Sequence, residues 1–237
     1  MKSFQGVVQV NSSETTVKRS KMNLIIVGFV VLLLILLTTV AASGLVNIPI
    51  LTHVLGTDEA KDLGVEVDPV LFDQMVEENG ITLKSPVSEY QLTSNIQYSD
   101  PAPMDITLTS SQLSSYLQAT NNEGAIKQIQ VKLGDNNEAE MSAYVDLKDY
   151  GYNFKGPVYV SGRFEKSSDS TINIDIYESK MGMLPMPDGS ADKGEQAFED
   201  MINSNLAKMS GLNIKTLEIQ DGQLHFDGDF PKTMEVV

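Results

Sequence analysis

Three groups of side chains in this sequence have the types and spacing to do chemistry. Met181, Met183 and Met186 fall within six residues, and a thioether cluster of that kind is a soft ligand set for Cu(I). Gly182, Leu184, Pro185 and Pro187 interleave with them. The same stretch therefore reads equally as a flexible apolar lip, with Met181, Met183, Leu184 and Met186 as candidate ligand contacts. Asp221, His225, Asp227 and Asp229 crowd the last hairpin of the chain and could offer hard ligands to calcium, although acidic residues are also ordinary turn chemistry. Serines are plentiful, but a nucleophile needs a base beside it, and His53 and His225 are the only imidazoles. No Gly-x-Ser-x-Gly elbow, HExxH, Walker loop or Rossmann glycine pattern occurs. The expectation is a non-enzyme with no cofactor and no metal.

The element that must position everything else is Asn23 to Ala42, NLIIVGFVVLLLILLTTVAA, which carries no charge. As a helix it spans about 30 Å at ~1.5 Å per residue, the thickness of a bilayer's hydrocarbon core. Thr38 and Thr39 are its polar residues after Asn23, and both hydroxyls can bond back to helix carbonyls. Lys18, Arg19 and Lys21 precede the span, whereas Asp58 and Glu59 are the first charges after it. The positive-inside rule then predicts a single-pass signal anchor in the cell membrane, with a cytoplasmic N-terminus and an extracytoplasmic C-terminal domain. Cleavage after Val40-Ala41-Ala42 is the rival reading, but the long n-region and long apolar run fit a signal peptide poorly. No cysteine exists to carry a lipid or form a disulfide, so a bacterial or archaeal envelope is the expected home.

The organisation expected is a disordered cytoplasmic tail (1–22), the anchor (23–43), a stalk with a short helix and linker (44–104), and an extracytoplasmic α+β domain (105–237). The chain is −15 overall and the tail +3, so the remainder carries −18. That charge argues against nucleic acid and against flat adhesion to an anionic membrane face. His53 lies in the stalk as a polar break.

Asp68-Pro69 signals a helix start, with Val70, Leu71, Met75 and Val76 as its stripe and Asn79-Gly80 as its end. Residues 81–103 read as a proline-rich linker with one short strand near Asn95 to Tyr98. Ile106 and Leu108 form a second short strand, and Thr109 or Ser110 caps a helix carrying Leu113, Tyr116 and Leu117. Four alternating stretches follow, with Ile129, Val131 and Leu133, then Met141, Ala143, Val145 and Leu147, then Val158, Val160, Gly162 and Phe164, then Ile172, Ile174 and Ile176 on one dry face. This predicts an antiparallel meander. A helix with Phe198, Met201, Ile202, Leu206 and Met209 comes next, then a closing hairpin turned by Asp221-Gly222. The helix and strand at 113–131 look like those at 202–219, an offset of 88 to 89 residues.

The anchor, ITLTSSQLSSYLQ (Ile106 to Gln118), MLPMP (Met183 to Pro187), FEDMINSNLAKM and LEIQDGQLHFDG (Leu217 to Gly228) resemble the YpmS-like envelope proteins. More loosely, the chain is similar to tubular lipid-binding domains, where a helix lies against a long curved sheet. The resemblance covers roughly 105 to 230 and implies an apolar groove for acyl chains or another lipid; those families offer no fixed polar site residues to carry over. The fold expected is a long antiparallel sheet, meander plus closing hairpin, packed by two or three helices. The function expected is a membrane-tethered module binding a lipid or other apolar ligand. The alternative is a structural or regulatory partner in an envelope complex, using its sheet edge or acidic face.

Overall fold

The computed structural model describes residues 57–90, 94–121, 124–146, 148, 155–182, 184–185 and 191–237, with side chains at 184, 185, 191–194 and 197 left aside. All of these residues belong to one compact unit, residues 41–237. The tail, the expected anchor and His53 lie outside the described residues. Among the described residues no helix is long and apolar enough to cross a membrane.

The fold is α+β with mostly antiparallel sheets. Helix α1 (Pro69–Glu78) starts where the Asp68-Pro69 signal places it: the Asp68 carboxylate accepts from the Val70 amide at 2.9 Å. Its C-cap is Asn79, and Gly80 follows at φ +61°. The buried face differs from the expected stripe. Phe72 and Met75 are buried, while Val70 is 54% exposed, because the helix turns Phe72 toward the Tyr116 ring, 6.1 Å away.

After a two-residue strand β1 (Thr82–Leu83), strand β2 runs without interruption from Ile96 to Thr109. The end of the expected linker (96–103) and the boundary between 104 and 105 therefore lie within one strand. Pro101 and Pro103 suggested a break, yet β2 is an edge strand. Being two apart, both prolines can turn their missing N–H to the same unpaired edge. Helix α2 (Ser110–Ala119) opens on a capping box between Thr109 and Gln112.

Strands β3 (Ile126–Leu133), β4 (Glu138–Asp146), β5 (Lys155–Lys166) and β6 (Ile172–Met181) form the expected antiparallel meander, extended by the short β7 (Leu184–Pro185). The alternation holds: Ile129, Val131, Leu133, Ala139, Ala143, Val160, Ile172 and Ile174 are all buried. Gly162 stands on that face because a bulge brings β6 against it. A Cβ there would sit 2.5 Å from the Asp175 carbonyl oxygen. Helix α3 (Ala191–Lys208) leads to β8 (Asn213–Gln220) and β9 (Gln223–Val236).

The β8–β9 hairpin does not close the meander. It belongs to a second sheet ordered β1-β9-β2, with β8 also paired to β9. The physical reason is the length of β9. Its 14 residues pair with β2 over its whole length, from Ile96↔Val236 to Thr109↔Gln223. Pro231, which suggests a stop, lies opposite Pro101.

The open edges of the meander are sealed by helices rather than strands. From α2, Ser110 and Ser114 hydroxyls and the Gln118 carbonyl accept from the amides of Leu133, Val131 and Ile129 at 3.0, 2.8 and 2.9 Å. From α3, Glu195, Glu199 and Asn203 accept from the amides of Ile176, Ile174 and Ile172 at 2.9, 2.8 and 2.9 Å. Both sets recur at four-residue spacing, one helical face laid along a strand. The edge of β8 is closed by turns of the meander: Ile214 N–H donates to Asp169 O, and Asn137 N–H to Ile219 O. An unpaired edge invites a foreign strand, and β3, β6 and β8 each have their edge amides engaged.

The chain before α1 is also fixed to the meander. Ala60 and Leu63 amides donate to the side chains of Gln128 and Gln130, both at 2.8 Å. Lys61 sits 3.6 Å over the Tyr159 ring. Residues 60–63 thus run across the face opposite the dry one.

Candidate apolar ligand cavity

The two sheets and the three helices do not fill the space between them. An apolar cavity of about 420 Å³ is walled by α1 (Phe72, Val76), α2 (Leu113, Tyr116, Leu117), α3 (Met201, Ile202, Leu206) and the inner face of the second sheet, including Leu217, Leu224, Phe226 and Phe230. A smaller one of about 200 Å³ lies toward the meander, against Val131, Leu133, Ala139, Met141, Phe164 and Phe198. Leu113, Leu117, Ile172, Ile202, Leu217 and Leu224 line both. The two compartments therefore share one wall, and the larger lies within the ~300–1,000 Å³ typical of small-molecule sites.

The sequence explains why these walls are dry. Leu113 and Leu117 stand one turn apart on α2, and Phe198, Ile202 and Leu206 follow the helical period on α3. Among the described residues, no Asp, Glu, Lys, Arg or His lines either compartment. The polar residues of the lining are Tyr90, Tyr98, Tyr116, Thr120, Asn121 and Asn205, all in the larger compartment.

The tyrosines differ in what their hydroxyls do. Tyr90 donates to the Met234 carbonyl at 2.8 Å and accepts from the Ser85 amide at 3.2 Å, so it is fully engaged. Tyr98 and Tyr116 have no hydrogen-bond partner among the described residues. Burial, and then Tyr90, push the Tyr98 phenol up. Burial, with the neighbouring Tyr98 and Tyr90, pushes the Tyr116 phenol up to about 12. Both are neutral donors at any ordinary pH.

The described part of the methionine-rich stretch stands elsewhere. Met181 ends β6, half-buried, paired with Val158 and Leu184, and it lines neither compartment. The side chain of Leu184 and all of Met183 and Met186 lie outside the described residues. The acidic hairpin is dispersed: His225 Nε2 lies 2.9 Å from Asp105 Oδ1 on the outer face of the β2–β9 pair, and Asp229 accepts from Asn213 Nδ2 at 3.1 Å. Among the described residues no group of three or more His, Asp or Glu is arranged to hold a metal ion.

The cavity residues escaped the sequence reading as a site because each looks like an ordinary core residue. Their wall exists only once the β8–β9 hairpin is assigned to the second sheet. Comparison of this chain with family models, with curated proteins and with solved structures returns no match.

Proposed function

We propose that this chain is a membrane-tethered extracytoplasmic module that holds an apolar ligand, a lipid or part of one, between its two sheets. The observation that carries the reading is the cavity of about 420 Å³ in which no charged side chain lines the walls among the described residues. An apolar hollow of that size leaves dry walls facing water, a cost that is offset when an apolar molecule fills it. The tether comes from the uncharged stretch at 23–42 and the basic residues before it. The edges of β3, β6 and β8 are engaged within the chain, and the free edge of β2 carries Pro101 and Pro103, which offer no N–H to an added strand.

Native mass spectrometry of the full chain released from membranes, followed by organic extraction, tests this reading. A bound species of defined mass that extracts into the organic phase is expected. A ligand-free chain whose amide exchange at α3 and β8 is unmoved by added long-chain lipid would overturn it.

A further inference from the structure

Resting on that reading, we infer that the site selects an uncharged long-chain lipid, one with a hydroxyl or ester head such as a long-chain alcohol or a monoacylglycerol, and rejects charged amphiphiles of either sign. Two observations point there. The first is the lining: among the described residues neither compartment presents a cation or an anion. A charge taken into such a space without a counter-charge loses far more hydration than the methylenes beside it return individually. The chain's net charge of −15 adds a repulsive field for any anion that approaches.

The second observation is where the polar atoms are. Thr120, Asn121 and Asn205 each donate to a carbonyl of their own helix, and Tyr90 is saturated. Tyr98 and Tyr116 alone of the three cavity tyrosines keep an unused hydroxyl, on walls that are otherwise aliphatic or aromatic. Two neutral donors suit a hydroxyl or ester oxygen, which brings one or two lone pairs and no charge. A carboxylate or phosphate needs more donors than two, or a cation, to replace its water. An ammonium finds no carboxylate in the lining. The cavity therefore discriminates by what its walls omit.

The test uses the full chain in phosphatidylcholine nanodiscs, with a diazirine-bearing long-chain alcohol as photoprobe at pH 8. Competitors of equal chain length, added at equal mole fraction, are the alcohol, the monoacylglycerol, the carboxylate and the trimethylammonium compound. We expect labelling to map to α2, α3 and β8. The alcohol and the monoacylglycerol should displace it at concentrations at least about tenfold below those needed for either ion, a difference of ~1.4 kcal/mol or more. Tyr116→Phe should weaken the monoacylglycerol severalfold and leave a plain long-chain alkane unchanged as competitor. An ion that competes within threefold of the alcohol would overturn the selectivity while leaving lipid binding intact. Preference for the ammonium alone would assign the effect to net charge and also overturn it. Absence of labelling by any probe would overturn the lipid reading itself.

Discussion

The Ser114 hydroxyl accepts a hydrogen bond from the Val131 amide at 2.8 Å and donates one to the Val131 carbonyl at 3.2 Å. One helix side chain thus takes the place of a neighbouring strand at the edge of β3. Ser114 is fully buried, so neither backbone group has water as a substitute. Ser114→Ala should cost about 1–3 kcal/mol, the penalty for leaving buried polar groups unmade. It should also speed hydrogen exchange at the Val131 amide relative to its neighbours. A melting midpoint and an exchange rate equal to those of the parent chain would show that the edge is sealed by something else.

The dry face of the meander was legible from alternation alone, and it gives the sharpest stability contrast. Ile174 is 3% exposed and sits opposite Phe164, whereas Asn173 beside it is exposed. Ile174→Asp should cost several kcal/mol, since the carboxyl must protonate or open its surroundings. Asn173→Asp should stay within about 0.5 kcal/mol. Chemical denaturation of the two variants checks this, and equal shifts would mean that the face is misassigned.

What was not legible shares one physical cause. Period-two and period-3.6 patterns report which side of an element is apolar, not which element it meets. The caps of α1 and α2, the turns at 134–137 and 221–222, and the four meander strands follow from local chemistry and appear as expected. Pro101 and Pro103 broke β2 on paper, because the sequence does not reveal that β2 has a free edge for its prolines. Ser114, Gln118, Glu195, Glu199 and Asn203 match no motif in the sequence. Their spacing of four is what a helix needs to follow a strand edge, a meaning that requires the strand. The offset of 88 to 89 residues has a partial structural counterpart. Ser110 and Ser114 correspond to Glu199 and Asn203 at an offset of 89; α2 seals the strand after it, and α3 a strand before it.

Tyr116 supplies a pH signature. Its phenol is raised to about 12, first by burial and then by Tyr98 and Tyr90. The folded chain then keeps a proton that the unfolded chain releases near pH 10, so this contribution is complete below pH 10 and is lost as pH climbs toward 12. On the order of 2 kcal/mol should disappear across that window. Tyr116→Phe retains the ring beside Phe72 and has no proton to lose. Its melting temperature should therefore fall less steeply between pH 10 and 12. Parallel slopes for the two proteins would place the phenol in water rather than against the cavity.

The last prediction sets the cavity against the methionine-rich lip. Ile202 lies on the wall common to both compartments, so Ile202→Phe adds volume into existing space rather than into a packed core. Filling a void commonly adds about 0.5–2 kcal/mol, whereas the same change in a tight core costs about 1–3 kcal/mol. The variant should melt at or above the parent temperature and take up at least about fivefold less photoprobe, roughly 1 kcal/mol of lost affinity. Met183→Asp combined with Met186→Asp alters the stretch where an apolar lip was expected from sequence, next to Met181, which lines neither compartment. If the ligand enters over that lip and rests between the sheets, the double variant should slow uptake and leave the final occupancy unchanged. Loss of occupancy in the methionine variant with full uptake in Ile202→Phe would move the binding site from the cavity to the end of β6.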